Sequence, residues 1–273
     1  MKTLKIFGAL VFTGALFFAG GCGKGCTDPK ANNYDADVNR HEKGSCEYDE
    51  LNGDVAIQFH AMLGNEEIAV NQVVTTSEGY QIRIGTFKFY VSDVRLSNAN
   101  SEQIINSVGI VDFKPDNLVD QVSGVVNPDT YTTLTFDLGL SPDQNGGDPA
   151  QFGPGEPLGI DFGMFWDWSA KYLFVKFDGQ SDTTGTNSQF NHNFVYHCGR
   201  DDFREKVTLT PSTEMMVTGE GVSQFDVFVD VERFFAQADN PVDIKTENST
   251  HTMNNVPLAQ KFHRNVARSF SMN

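Results

Sequence analysis

Tryptophan occurs only twice in these 273 residues, cysteine four times, and basic side chains are outnumbered, 20 Lys+Arg against 36 Asp+Glu. The shortage of positive charge excludes a nucleic-acid binder, because a surface of formal net charge -16 repels a phosphate backbone. Beyond the N-terminus no apolar run approaches the length of a spanning helix, so the chain is not a multi-pass membrane protein. Familiar catalytic signatures are missing too: there is no G-x-S-x-G elbow, P-loop, H-E-x-x-H or dinucleotide fingerprint. With 36 acidic residues to choose from, no pair stands out for glycoside hydrolysis. The reading is therefore of a non-enzyme. What is present is apolar surface, 39% of residues, with 23 phenylalanines, enough to build a core and to exclude wholesale disorder.

The N-terminus reads as an export signal. Lys2 and Lys5 precede an apolar run over 6–19, which is short for a spanning helix. Phe18-Ala19-Gly20-Gly21-Cys22 then resembles a bacterial lipobox, although an aliphatic residue is more usual than Ala19 three places before the cysteine. Residues 1–21 are expected to be removed and Cys22 to be lipidated, anchoring an outer-membrane lipoprotein on its periplasmic or outer face. The alternative is an ordinary secretory signal with Cys22 as a spare thiol. Both lead to a compartment where disulfides persist.

Residues 22–50 form a short module. Cys26-Thr27-Asp28-Pro29 through Asn33-Tyr34, closed by Gly44-Ser45-Cys46-Glu47-Tyr48, is similar to the GCTDPxAxNY…GSCxY segment of exported bacterial proteins. So small a segment cannot bury a core, so Cys26 and Cys46 are expected to be bridged, for roughly 3 kcal/mol. In the loop over 28–39, Asp35-x-Asp37-x-Asn39 offers alternate oxygens, as calcium loops do, but lacks the glycine and bidentate glutamate of an EF-hand. Calcium and a polar, disulfide-tied linker both remain open there.

From residue 54 onward the pattern has period 2. Val55, Ile57 and Phe59 alternate with Ala56, Gln58 and His60; Leu173, Val175 and Phe177 alternate with Tyr172, Phe174 and Lys176; Phe225, Val227 and Val229 alternate with Asp226 and Phe228. Turn-forming clusters separate such runs, notably over 141–159, long enough to be a candidate functional loop. The expected fold over 54–273 is all-β, an antiparallel, Greek-key-like sandwich. Helical patterning is confined to 232–237 and a short C-terminal helix over 256–270, with His263 on its surface.

Among the six histidines, His60 should face away from Val55, Ile57 and Phe59, and His197 away from Phe194 and Tyr196. His251 precedes the terminal helix together with Met253.

Here the chain resembles a known family. Tyr90-Val91-Ser92-Asp93-Val94-Arg95-Leu96 looks like its YVSDVRL strand. Gly163-Met164-Phe165-Trp166-Asp167-Trp168, followed by Lys171-Tyr172-Leu173-Phe174 and Asp178-Gly179, is similar to its GMYWxWqsGYkFlklEG signature, and His197-Cys198-Gly199 to its H-x-G step. These are marks of MbnP-like domain proteins, exported proteins associated with methanobactin copper handling. The chain departs from the signature at Ser169-Ala170 and at Cys198.

The resemblance implies Cu(I) held by two histidines and an oxidised tryptophan (kynurenine), the oxidation being performed by a di-haem cytochrome peroxidase-like partner. Carried over by position, His60 and His197 are the imidazole ligands and Trp166 or Trp168 the tryptophan. Met164, Met253 or Cys198 would add soft sulfur, and His251 is a reserve ligand. Against this copper-binding reading stand a non-catalytic cell-surface binding module without metal and, more weakly, an envelope hydrolase. Convergence of two or more of His60, His197 and His251 on one point separates them.

Overall fold

The computed structural model describes residues 23–29, 31–38, 40–47, 52–168, 170–186 and 189–273, which form two compact units, divided between residues 50 and 51. The expected export signal and the expected lipidation site at Cys22 lie outside the described residues.

In the first unit Cys26 and Cys46 are bridged, their Cα atoms 4.7 Å apart. Lys24–Gly25 pairs in parallel with Arg40–His41. Asn33 ties the far end, its side chain donating to Ser45 O at 2.6 Å and accepting from Glu47 N at 2.8 Å. Asp35 accepts the Asp37 N–H at 2.9 Å, a local turn. Asn39 of the candidate calcium loop lies outside the described residues, and among the described ones no group of three or more His, Cys, Asp or Glu side chains forms a metal site.

The second unit is the expected all-β sandwich. Its principal strands are β1 (Gly53–Leu63), β2 (Gln81–Ser97), β3 (Glu102–Asp112), β4 (Val119–Val126), β5 (Thr133–Leu138), β6 (Val175–Asp182), β7 (His192–Cys198), β8 (Glu205–Leu209), β9 (Val222–Asp230), β10 (Ser249–His251) and β11 (Phe270–Ser271). Three helices accompany them: α1 (Pro142–Gly146), α2 (Glu232–Phe235) and α3 (Val256–Ala267).

The larger sheet runs β8-β5-β2-β6-β7-β10, with β3 and Val73–Thr75 also paired to β2. The 17-residue β2 is its spine, pairing first with β6 and then with β5 along its length. The smaller sheet is β11-β9-β1, continued by Glu66–Glu67, with β4 also on β1.

Two pairs depart from the antiparallel expectation: β9 lies parallel to β1, and β10 parallel to β7. Antiparallel neighbours follow from hairpins, and neither pair is a hairpin. The chain passes through the larger sheet before β9, and through β8, β9 and α2 before β10. With connections that long, parallel pairing is open to both.

Phenylalanine fills the space between the sheets. Phe59, Phe89, Phe136 and Phe270 meet edge to face at 5.1–6.4 Å. The helix α3 closes one side, starting from the Asn255 side chain, which accepts from Leu258 N, and Pro257 in its first turn. Its Phe262 stacks on Tyr196 with centroids 3.9 Å apart. His263 is also inside, 1% exposed, not on the helix surface as expected. Among the described residues no helix is long and apolar enough to cross a membrane.

Candidate metal centre

Alternation along β7 sends Phe194, Tyr196 and Cys198 into the core and leaves Asn193, Val195 and His197 on the outer face of the larger sheet. Register then lines up four residues across four strands: Lys88 on β2, Lys176 on β6, His197 on β7 and His251 on β10. The two histidines are direct neighbours, their rings near-parallel at 5.0 Å.

The two lysines hold down the polypeptide that covers this row. Lys88 Nζ donates to Phe162 O at 3.2 Å and Lys176 Nζ to Gly163 O at 3.3 Å. The preceding segment, 141–159, carries α1 and a short 3-10 turn rather than being a bare loop. Tyr90 and Tyr172 pin it, donating their hydroxyls to Pro157 O at 2.8 Å and Leu158 O at 2.7 Å. After Gly163 the chain forms a tight hairpin in which Phe165–Trp166 pairs with Lys171–Tyr172.

That hairpin lays Trp166 edge-on to both imidazoles, 4.6 Å from His197 and 5.7 Å from His251. Lys176 Nζ lies 6.0 Å from the same indole. Trp168 stacks on Trp166 at 5.0 Å and is 72% exposed. His197 beneath them is only 6% exposed.

Two details fix His197. Thr252 is buried with φ +60°, a conformation rare for a β-branched residue, and its hydroxyl donates to His197 O at 2.7 Å while accepting from Gly199 N at 3.1 Å. Gly199 itself lies against the backbone entering β6: a Cβ there would stand 2.2 Å from Tyr172 O. The H-x-G step thus combines an outward imidazole with a point of backbone contact.

Polar satisfaction at His197 is incomplete. Nε2 lies 2.7 Å from Asp178 Oδ1, in ion-pair range but off the line of a ring N–H hydrogen bond, and Nδ1 has no hydrogen-bond partner among the described residues. A buried imidazole left in this state has donor capacity for a cation.

The expected ligands sort clearly. His197, His251 and Trp166 come together, with Trp168 on the outside of Trp166. His60 does not join them. It faces outward, as expected, but from the smaller sheet, where its nitrogens meet Glu67 Oε1 at 2.5 Å and Asp226 Oδ1 at 3.0 Å and its ring lies 5.2 Å from Phe228. The sulfurs are also misplaced for the role given them. Met164 is fully buried in the core and Met253 is 58% exposed. Cys198 points inward, and burial raises its thiol pKa well above the usual range, so it is a small core residue.

Asp178, Lys176 and Thr252 were not singled out from sequence. Asp178 does stand in the signature, in the Asp178-Gly179 pair, but only the register of β6 against β7 shows that it adjoins His197.

The fold and this cluster define an all-β protein with a histidine–tryptophan centre on the outer face of one sheet. A family model described as MbnP matches residues 52–254, and the chain belongs to that family. Among solved structures, MbnP from Methylosinus trichosporium is similar at 16% identity and a TM-score of 0.49, over 76% of this chain and 87% of that one. No curated sequence matches significantly.

Proposed function

We propose that this chain is an exported copper-binding protein, lipid-anchored through Cys22, that captures or carries copper in the bacterial envelope. Cu(I) is held by His197 and His251 under Trp166. The observation that carries this reading is the register pairing of two imidazoles on adjacent strands, 5.0 Å apart, both in contact with one indole. Neutral imidazole suits copper, and a pair of them is fewer ligands than the four a zinc site usually takes.

Trp166 is favoured over Trp168 as the tryptophan that a di-haem cytochrome peroxidase-like partner would oxidise. Its ring touches both imidazoles, whereas Trp168 is 72% exposed. The amine released on such an oxidation would add a nitrogen donor beside the two histidines.

Equilibrium dialysis of the full chain with Cu(I) against a competing chelator tests the reading, before and after treatment with the di-haem partner. Binding should be tight in the wild type and weaken by about 100-fold or more in both His197→Ala and His251→Ala. His60→Ala, on the other sheet, should bind as the wild type does. Equal binding in all four proteins, or none in the wild type, would remove the site.

A further inference from the structure

Asp178 sits on β6 opposite Val195, so its side chain lies diagonally beside His197 on the outer face of the sheet. The row containing His197 has His251 on one side; on the other it carries Lys176 directly opposite and Lys88 next in line, ending in Asp112. Lys88 has an anionic partner, Asp112 Oδ2 at 3.0 Å. Lys176 is committed to Gly163 O and the Trp166 face. A metal cation entering beside His197 therefore meets like charge in a poorly hydrated place, which is costly without an anion close by.

Asp178 Oδ1 is that anion. This oxygen is buried, though the side chain as a whole is 25% exposed; it lies 2.7 Å from His197 Nε2 and has no aligned hydrogen bond among the described residues. His197 Nδ1 is likewise without a partner. A carboxylate that accepts the N–H of a neutral imidazole fixes the tautomer whose other nitrogen carries the lone pair, the usual arrangement behind metal-ligating histidines.

We infer that Asp178 is the positioning residue of this centre: with a small turn of the ring onto the 2.7 Å Nε2–Oδ1 line, its carboxylate accepts the His197 Nε2–H, makes Nδ1 the copper ligand, and offsets the charge of the bound cation against Lys176. The inference rests on the copper reading above and adds to it the ligating atom and the anion that the site needs.

The test uses the full chain with Cu(I) alone as the probe, in the wild type, Asp178→Asn and Asp178→Glu. Cu(I) affinity is measured by chelator competition, and the tautomer of His197 is read from its imidazole 15N shifts in the diamagnetic Cu(I) form. Asp178→Asn should weaken binding by about 10- to 100-fold with an unchanged melting temperature. Asp178→Glu should recover most of that loss, and the loaded wild type should show Nε2 protonated and Nδ1 metal-bound. Asp178→Asn binding within about twofold of wild type, or a wild type ligated through Nε2, would overturn the inference while leaving the two-histidine site standing. A wild type that binds no Cu(I) would overturn both.

Discussion

Alanine in place of Gly199 is expected to destabilise the second unit by about 3 kcal/mol or more and to weaken the proposed copper binding with it. The added Cβ would lie 2.2 Å from Tyr172 O, 2.9 Å from Leu173 Cα and 3.1 Å from Phe174 N. All three are backbone atoms, so no side chain can swing aside. Nor can that backbone retreat easily. Leu173 N donates to Met164 O at 2.7 Å, Phe174 N to Cys198 O at 2.6 Å, and Tyr90 N to Phe174 O at 2.9 Å. The strain must therefore push β7 outward from its own side. His197 is two residues away, and the Thr252 hydroxyl that holds its carbonyl also accepts the Gly199 N–H. In a unit of this size the loss corresponds to a fall in melting temperature of about 6–12 °C. Thermal unfolding followed by circular dichroism measures it. A Gly199→Ala protein melting within about 2 °C of wild type would mean that the backbone contact is not rigid.

Much of this architecture could be read from alternation alone. Val55, Ile57 and Phe59 point inward and His60 outward, and Phe194 and Tyr196 point inward and His197 outward, as the period-2 patterns require. Facing outward is a local property of a strand, and each strand carries it in its own residues. Which outward faces adjoin is not local. His60 lies on β1, whose neighbours β4 and β9 belong to the smaller sheet, while His197 lies on β7 between β6 and β10. Nothing in either strand specifies those partners, and the resemblance, which pairs His60 with His197, does not reveal that they stand on different sheets. His251 gives a weaker signal, since its strand has only three residues, all polar, and so no apolar alternation to read. Yet it is the residue that register sets beside His197. Met164 failed as a donor for a related reason: it is the last residue before the hairpin strand and turns into the core, while Trp166 stays over the histidines.

His263 is the other place where a local pattern misled, and it leads to a prediction about acid. Leu258, Phe262 and Val266 form one buried stripe of α3 at four-residue spacing, and Ala259 and His263 are buried beside it because the helix is covered on a second side. There the imidazole meets Phe203 at 5.9 Å and Phe174 at 6.3 Å, and neither ring nitrogen has a hydrogen-bond partner among the described residues. Burial first, and the neighbouring Arg264 charge second, push its pKa down from 6.5 to about 3. Between those two values the unfolded chain takes up a proton that the native chain refuses. Stability therefore falls as the pH drops below about 6.5, and the contribution is intact above it. At pH 5 this one group should cost about 2 kcal/mol relative to neutral pH. Other groups also titrate in this range, so the measurement is a difference between two proteins. His263→Leu removes the proton site and suits the apolar surroundings. From pH 7 to pH 5 the wild type should lose about 4–8 °C more in melting temperature than His263→Leu does. Parallel losses in the two proteins would show that His263 finds a partner or solvent when protonated, and that its place under Phe174 and Phe203 is not closed.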